Sequence, residues 1–289
     1  MTSESETDAK KHHLGVCPYG QGALSYNNYL KIKEIKELQV CQSDPPHHDE
    51  PLFIIIHQTY ELWFKLILHE IDETMKQLAA GNAPRATWFM RRVSTIFREV
   101  LVNQIHILET MMPVDFLGFR SKLNPASGFQ SSQFREIEFA AGMKEPRLLQ
   151  FFTNEPEALA LMQKRLEEPT LADAFYQLLI DRGFDVAFQI TEDDSQECEK
   201  AHEQRVRELR KIYQEPEKYY DLYELAETLV DLDENIALWR MHHVTVVERI
   251  IGFKRGTGGS EGVGYLRSTL TKRCFPDLWN VRTMIELPK

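Results

Sequence analysis

The sequence lacks an apolar run long enough to cross a bilayer, and its first residues lack the apolar stretch of a secretory signal. It also lacks an excess of positive charge, because 44 acidic residues stand against 34 basic ones and the formal net charge is -10. This balance disfavours binding to nucleic acid or to an anionic membrane surface. We therefore expect a cytoplasmic protein whose partner is a small molecule or another protein.

Cysteine is scarce, and none of the four cysteines forms a C-x-x-C pair. The sequence thus argues against a structural zinc site and against covalent haem attachment, since both use that spacing. A phosphate-binding loop is lacking as well. The glycine-rich segment 252–264 has neither the order G-x-x-x-x-G-K-[ST] nor the spacing G-x-G-x-x-G.

Long helical patterns dominate the rest of the chain. Residues 1–21 are polar and are predicted to form a mobile arm. One pattern covers 49–77, behind the helix-start signals Asp49 and Pro51; others cover 85–112 and 218–251. These patterns predict a bundle of long helices. Segment 114–134, which contains Gly118, Pro125 and Gly128, is predicted to be the least helical part of the middle.

Two histidines occupy positions that these patterns otherwise fill with apolar residues. His57 lies in the first long helix between Phe53 and Glu61, and His243 lies in the apolar seam of the third. A core histidine bonded to its neighbours explains His57 alone, and a polar residue that sets a coiled-coil register explains His243 alone. Two such histidines on two buried helices favour a shared pocket. A neutral imidazole in a dry bundle is suited to ligate haem iron, with the second imidazole across the cavity.

Arg120 stands alone among apolar side chains, and two interpretations remain open. It is either a surface arginine paired with Asp115 or a guanidinium fork that recognises a carboxylate. The glycine-rich segment is either a linker or a lid that closes over a ligand, with Thr257 offering a hydroxyl. Glu199 and His202 form a single E-x-x-H, whereas a di-iron bundle needs two copies.

Four segments together resemble the tryptophan 2,3-dioxygenase family in order and spacing: HHDEPLFIIIHQTYELWFK, GFRSKLNPASGFQSSQFREIE, LWRMHH and IGFKRGTGGSEGVGYLRSTL. The likeness extends over residues 22–285. It implies that residues 22–289 form a single all-α haem dioxygenase domain and that the protein is a homotetramer. It also implies that haem b is bound without a covalent bond, with Fe(II) in the active form. It also implies cleavage of the indole C2–C3 bond of L-tryptophan by O2, which gives N-formyl-L-kynurenine and begins the kynurenine route.

The resemblance also implies roles for individual residues. His243 corresponds to the axial ligand of the haem iron, and His57 to the distal histidine beside the indole N–H. Arg120 corresponds to the partner of the substrate carboxylate, and Thr257 to a contact at the ammonium and carboxylate end. The implied walls of the indole slot are Phe53, Phe116, Leu123, Tyr26 and Tyr29, and the implied haem contacts are Ser127 and Trp239.

Two details of the resemblance affect the site. Some family members have Tyr where this chain has Phe116, so a hydroxyl is missing at that position. The family's N-terminal helix contributes to a neighbouring subunit's site, which implies that Tyr26 and Tyr29 act there. We interpret His57 as positioning the indole rather than removing its proton, because the indole nitrogen is a poor acid and an imidazole a weak base for it.

Two other functions remain as alternatives. One is a haem monooxygenase or peroxygenase that acts on an indole derivative, and the other is a non-catalytic haem sensor or helical scaffold. The presence of His57, Arg120 and Thr257 together favours an enzyme, because a scaffold does not need groups that bind an amino acid.

Overall fold

The computed structural model describes residues 24–188, 195–256 and 262–286, and within these ranges all regular secondary structure is helical. The prediction of an all-α fold is therefore confirmed. None of the helices in these ranges combines the length and apolarity of a membrane span. The chain divides into two compact units, residues 1–40 and 41–289.

The first unit contains two short helices among its described residues, α1 (Tyr26–Tyr29) and α2 (Ile32–Ile35). The Ser25 Oγ caps α1 by accepting a hydrogen bond from the Asn28 N–H at 3.2 Å. Lys31 separates the helices with a φ of 54°, which is the left-handed region. The segment therefore does not form one continuous helix, and no residue of α1 or α2 is buried.

The second unit contains the long helices. The α-helices are α3 (Glu50–Ala79), α4 (Ala83–Thr95), α5 (Val102–Gln104), α6 (Pro113–Arg120), α7 (Ser132–Ala141), α8 (Pro156–Glu167), α9 (Leu171–Asp181), α10 (Ser195–Gln214), α11 (Tyr220–Ile251), α12 (Val263–Ser268) and α13 (Pro276–Asn280). A π-helical segment covers Ile96–Leu101, and 3-10 segments cover Ile105–Thr110, Ser121–Leu123, Gly128–Gln130, Pro146–Phe152 and Val281–Met284.

Helices α3 and α11 form the centre of the second unit. Helix α3 packs against α4, α7 and α9, and α11 packs against α4, α6 and α12. Their inner faces carry fully or almost fully buried aliphatic residues: Ile56, Ile67, Ile71 and Leu78 of α3 and Leu225, Leu229, Leu232 and Ile236 of α11. Burial of such a side chain contributes about 1.5–3 kcal/mol. The predicted helices 49–77 and 218–251 therefore exist with nearly the predicted bounds.

The predicted helix 85–112 is a continuous helical path but not one regular α-helix. After α4 it widens into the π-helical segment, narrows through α5 and ends as a 3-10 helix at Thr110. Two contacts from α3 hold this irregular part: the Tyr60 hydroxyl donates to the Leu101 carbonyl at 3.1 Å, and the Gln104 amide donates to Thr59 Oγ1 at 2.5 Å. These contacts join residues far apart in sequence, so the apolar spacing does not reveal them.

The prediction for segment 114–134 is wrong in its first part, because Pro113 begins helix α6 and Gly118 lies inside it. Phe116 and Phe119 turn inward and are buried. This burial offsets the low helix propensity of glycine. From Ser121 to Ser131 the backbone is irregular, as predicted, with two short 3-10 turns.

The C-terminal helices are held by buried carboxylates. Asp233 of α11 accepts hydrogen bonds from the backbone N–H of Cys274 and Phe275 and from the indole of Trp279. His202, from the single E-x-x-H, bonds through Nδ1 to the buried Asp277. The motif therefore connects α10 to α13.

Candidate active site

A cavity of about 500 Å³ lies inside the second unit. All predicted site residues that belong to this unit and to the described ranges line it: Phe53, His57, Phe116, Arg120, Leu123, Ser127, Trp239 and His243. Thr257 lies outside the described residues. Tyr26 and Tyr29 belong to the first unit, where they are 73% and 71% exposed. The tertiary structure thus brings together residues that are almost 200 positions apart.

His57 presents a hydrogen-bond acceptor. Its Nδ1 lies 2.7 Å from the Phe53 carbonyl oxygen, which can only accept, so Nδ1 carries the proton and Nε2 of the neutral ring is bare. Burial lowers the pKa of His57, although the Phe53 hydrogen bond and the charge of Glu61 oppose this change. A neutral ring with an acceptor nitrogen is therefore the form at pH 7.

His243 is the second neutral imidazole of the cavity. Burial lowers its pKa to about 4, and the nearby His57 and Arg135 act in the same direction. Its ring stacks on Trp239, one helical turn earlier, with centroids 5.3 Å apart and planes at 18°. The ring keeps some accessible surface because it forms part of the cavity wall. A neutral imidazole in this position can ligate a metal ion.

Arg120 ends α6 at the edge of the cavity and is half-buried. Its Nη2 donates a hydrogen bond to the backbone carbonyl of Arg255. Within the described residues it forms no ion pair with Asp115, so the interpretation as a simple surface pair does not hold. A guanidinium group has five N–H donors, and its fork suits a carboxylate.

An aromatic wall lies beside Arg120. The rings of Phe53 and Phe116 are 5.6 Å apart, and those of Phe116 and Phe119 are 5.3 Å apart at 85°. Leu123 packs against the same core. This wall suits a flat apolar ring, since aromatic groups pack edge to face or tilted at such distances.

Buried charge at another part of the cavity wall was missed by sequence reasoning. Glu138 of α7 pairs with Arg135 at 2.6 Å and with Arg240 of α11 at 2.5 Å, so two guanidinium groups share one carboxylate. Arg135 Nε and Trp239 Nε1 are buried and have no acceptor within the described protein. The sequence signal that could have revealed these buried charges is the presence of charged residues within the apolar helix pattern of α7.

These groups fit a haem. A cavity of this size falls within the range of about 300–1,000 Å³ found for cofactor and ligand sites. His243 offers one neutral nitrogen to iron, the walls are mainly apolar, and the unpaired donors of Arg135 and Trp239 suit the carboxylates of such a cofactor. Ser127 also lines the cavity.

The fold and the cavity define a class: a helical protein with a mainly apolar cavity that contains two neutral imidazoles and buried N–H donors without a partner in the described protein. Comparison with known proteins identifies the family. Residues 10–180 and 201–285 match the sequence model of the family described as tryptophan 2,3-dioxygenase. The gap between the two matched ranges, residues 181–200, lies where α9 ends and α10 begins.

Individual relatives agree along nearly the whole chain. The Caulobacter vibrioides protein named tryptophan 2,3-dioxygenase is 45% identical over 263 residues, which are 91% of this chain and 98% of the relative. The protein of the same name from Kineococcus radiotolerans is 41% identical over 285 residues, or 99% of each chain. The chain belongs to the tryptophan 2,3-dioxygenase family, and the resemblance noted in its motifs is confirmed.

Proposed function

We propose that this protein is a haem-dependent dioxygenase that cleaves the indole C2–C3 bond of L-tryptophan with O2 to give N-formyl-L-kynurenine. One observation carries the proposal beyond family membership: His57, His243 and Arg120 line a single apolar cavity. His243 offers a ligand for iron, His57 offers an acceptor for an indole N–H, and Arg120 offers a cation for an α-carboxylate.

The haem-binding residues follow from the donor set. His243 would ligate the iron, Trp239 would support that ring by stacking, and Ser127 would lie near the haem edge. Arg135 and Trp239 would donate their unpaired N–H groups to the haem carboxylates. When bound, haem b in its Fe(II) form would supply the activation of O2.

The substrate contacts follow from shape and charge. The carboxylate of L-tryptophan would pair with Arg120, and the indole would pack on the wall formed by Phe53, Phe116 and Leu123. The bare Nε2 of His57 would accept the indole N–H. A ring with a lowered pKa is a weak base, so His57 orients the indole rather than removing its proton. Orientation between Arg120 and His57 is then the main contribution of the protein. The Thr257 contact remains a prediction from the family motif.

The assembly is part of the same proposal. The first unit has large exposed apolar residues: Leu24, Tyr26, Tyr29, Leu30, Ile35, Leu38 and Val40. A homotetramer would cover them and would place Tyr26 and Tyr29 in the site of a neighbouring subunit. Light scattering measures the assembly. Subunits with Tyr26→Ala and Tyr29→Ala should regain activity when mixed with His243→Ala subunits, and lack of recovery would contradict a contribution between subunits.

The proposed reaction is tested by loading the purified protein with haem and recording its absorption without air. L-Tryptophan and ¹⁸O-labelled O2 are then added, and product mass is measured. Two labelled atoms in N-formylkynurenine are the expected result. One labelled atom would indicate a monooxygenase, and haem without product would indicate a sensor. Absence of haem binding would indicate that both histidines have a structural role only.

A further inference from the structure

Helix α6 carries both Phe116 and Arg120, so its position determines where two of the proposed substrate contacts lie. The helix has only 8 residues, and its outer residues Val114 and Leu117 are exposed. Phe116 and Phe119 fix its inner face against Phe53. A further contact acts on its other side and comes from the segment before α3.

That contact is between Gly118 and the imidazole of His47. A Cβ added at Gly118 would lie 3.0 Å from Nε2 and 3.1 Å from Cδ2 of His47, closer than side chains normally approach. The same ring lies 5.4 Å from the ring of Phe119. A glycine within a helix costs stability relative to alanine, and the close approach of His47 gives this glycine a reason.

Hydrogen bonds hold both the His47 ring and its backbone. Its Nδ1 accepts a hydrogen bond from the Asp49 N–H at 3.3 Å, and its backbone N–H donates to Ser43 Oγ at 2.8 Å. Ser43 in turn donates its hydroxyl to Glu50, which is fully buried and also accepts from the Gln42 N–H at 2.5 Å. This network ties the ring to the first turn of α3, the helix that carries His57.

We infer that His47 is a positioning residue that sets the place of α6 relative to α3, and through α6 the spacing between Arg120 and His57. The ring edge against Gly118 limits how closely α6 approaches the start of α3. The inference rests on the proposed function, because it assigns to His47 control over binding of an amino acid that spans these two contacts.

The test is a set of variants in the haem-loaded enzyme: Gly118→Ala, His47→Asn, their combination, and Val114→Ala as an exposed control on the same helix. The His47→Asn change keeps a side-chain acceptor for the Asp49 N–H but removes the ring edge. Gly118→Ala should raise KM for L-tryptophan roughly tenfold with a smaller change in kcat, as expected for displaced binding groups. Binding of 3-methylindole, which lacks the carboxylate, should weaken less.

The combination separates positioning from helix stability. In the His47→Asn background the added methyl group meets no ring, so Gly118→Ala should cause no further rise in KM, and the Val114→Ala control should match the wild type. Equal rises in KM with and without His47 would overturn the inference, as would an unchanged KM in Gly118→Ala.

If Gly118→Ala does not fold by circular dichroism, His47→Asn alone decides, and an unchanged KM for L-tryptophan in that variant overturns the inference. Failure of the wild-type enzyme to convert L-tryptophan would instead contradict the proposed function, so the two failures are distinguishable.

Discussion

The two walls of the cavity are built differently. One wall comes from α3 and α11, two regular helices of 30 and 32 residues, and carries His57 and His243. The other comes from α6 and the irregular backbone that follows it, and carries Phe116, Arg120 and Leu123. In the first wall, helical periodicity alone directs the side chains inward. In the second, contacts with distant segments decide their positions.

The walls also differ in charge. On the long helices the two histidine rings are half-buried and neutral, since loss of hydration lowers the pKa of both. On the short wall Arg120 is half-buried and bonded to a backbone carbonyl at the cavity edge. The difference matches the two ends of an amino acid with an aromatic side chain. In the proposed complex, neutral groups would face the ring and a cation would face the carboxylate.

The largest expected effect tests the wall formed by α3 and α11. His243→Ala should abolish ligation of haem iron while helical content by circular dichroism stays near that of the wild type, because α11 has 32 residues and alanine is a good helix former. Absorption spectroscopy of the haem-loaded protein measures ligation. His242→Ala is the matched control on the same turn and should keep the wild-type spectrum. A normal ligated spectrum in His243→Ala would remove the axial assignment.

The next effect tests the short wall. Arg120→Leu should weaken binding of L-tryptophan by about 2 kcal/mol. This value is at the lower end of the range for loss of a hydrogen-bonded charge pair, because Arg120 is only half-buried. This is roughly a thirtyfold loss of affinity. Titration of the haem-loaded protein measures it. Arg120→Lys keeps the charge without the fork and should lose less, and 3-methylindole should bind as before. Unchanged affinity for L-tryptophan would show that Arg120 contacts another group.

A smaller effect concerns protonation of His57. Its pKa lies below the ordinary 6.5, so affinity for L-tryptophan should be constant above pH 6.5 and fall only at more acidic pH, where the ring gains a proton on Nε2 and stops accepting. His57→Ser should reduce affinity roughly fivefold at neutral pH, about one hydrogen bond, and should lack this acid-dependent loss. The same loss of affinity at acidic pH in His57→Ser would show that another group titrates.

The same pKa change affects folding in the haem-free protein. Below pH 6.5 His57 binds a proton more tightly in the unfolded chain than in the folded protein. The free energy of unfolding therefore falls as the pH decreases. Thermal unfolding of the haem-free protein between pH 8 and pH 5 should show a smaller decrease for His57→Ser than for the wild type.

The smallest expected effect is on thermal stability, and it tests the contact between the regular helix α3 and the π-helical segment. Tyr60→Phe removes the hydroxyl that donates to the Leu101 carbonyl at the end of the π-helical segment. The loss of this buried hydrogen bond should cost about 1 kcal/mol and lower Tm by about 2–4 °C. Thr95→Ala changes a hydroxyl that bonds within its own helix and serves as the control. An equal Tm for Tyr60→Phe and wild type would show that the π-helical segment does not depend on this contact.

Several parts of the site could be predicted from the sequence. The inner faces of α3 and α11 follow from apolar spacing, so the helical period alone places His57 and His243 on them. The motifs allowed Phe53, Phe116, Leu123, Ser127 and Trp239 to be named, and the cavity contains them all. The helical form of 113–120 could not be predicted, because burial of Phe116 and Phe119 against Phe53 outweighs the low helix propensity of Gly118.

By itself the sequence determined the helical class, the two long helices and the inward positions of their histidines, because a period of 3.6 residues is a local property of the chain. Only the tertiary structure decided that Arg120 bonds to Arg255, that Arg135 and Arg240 share Glu138, and that the ring of His47 lies against Gly118. Each of these joins separate segments, and such pairs form only when the packing of the whole second unit offsets the entropy of bringing them together.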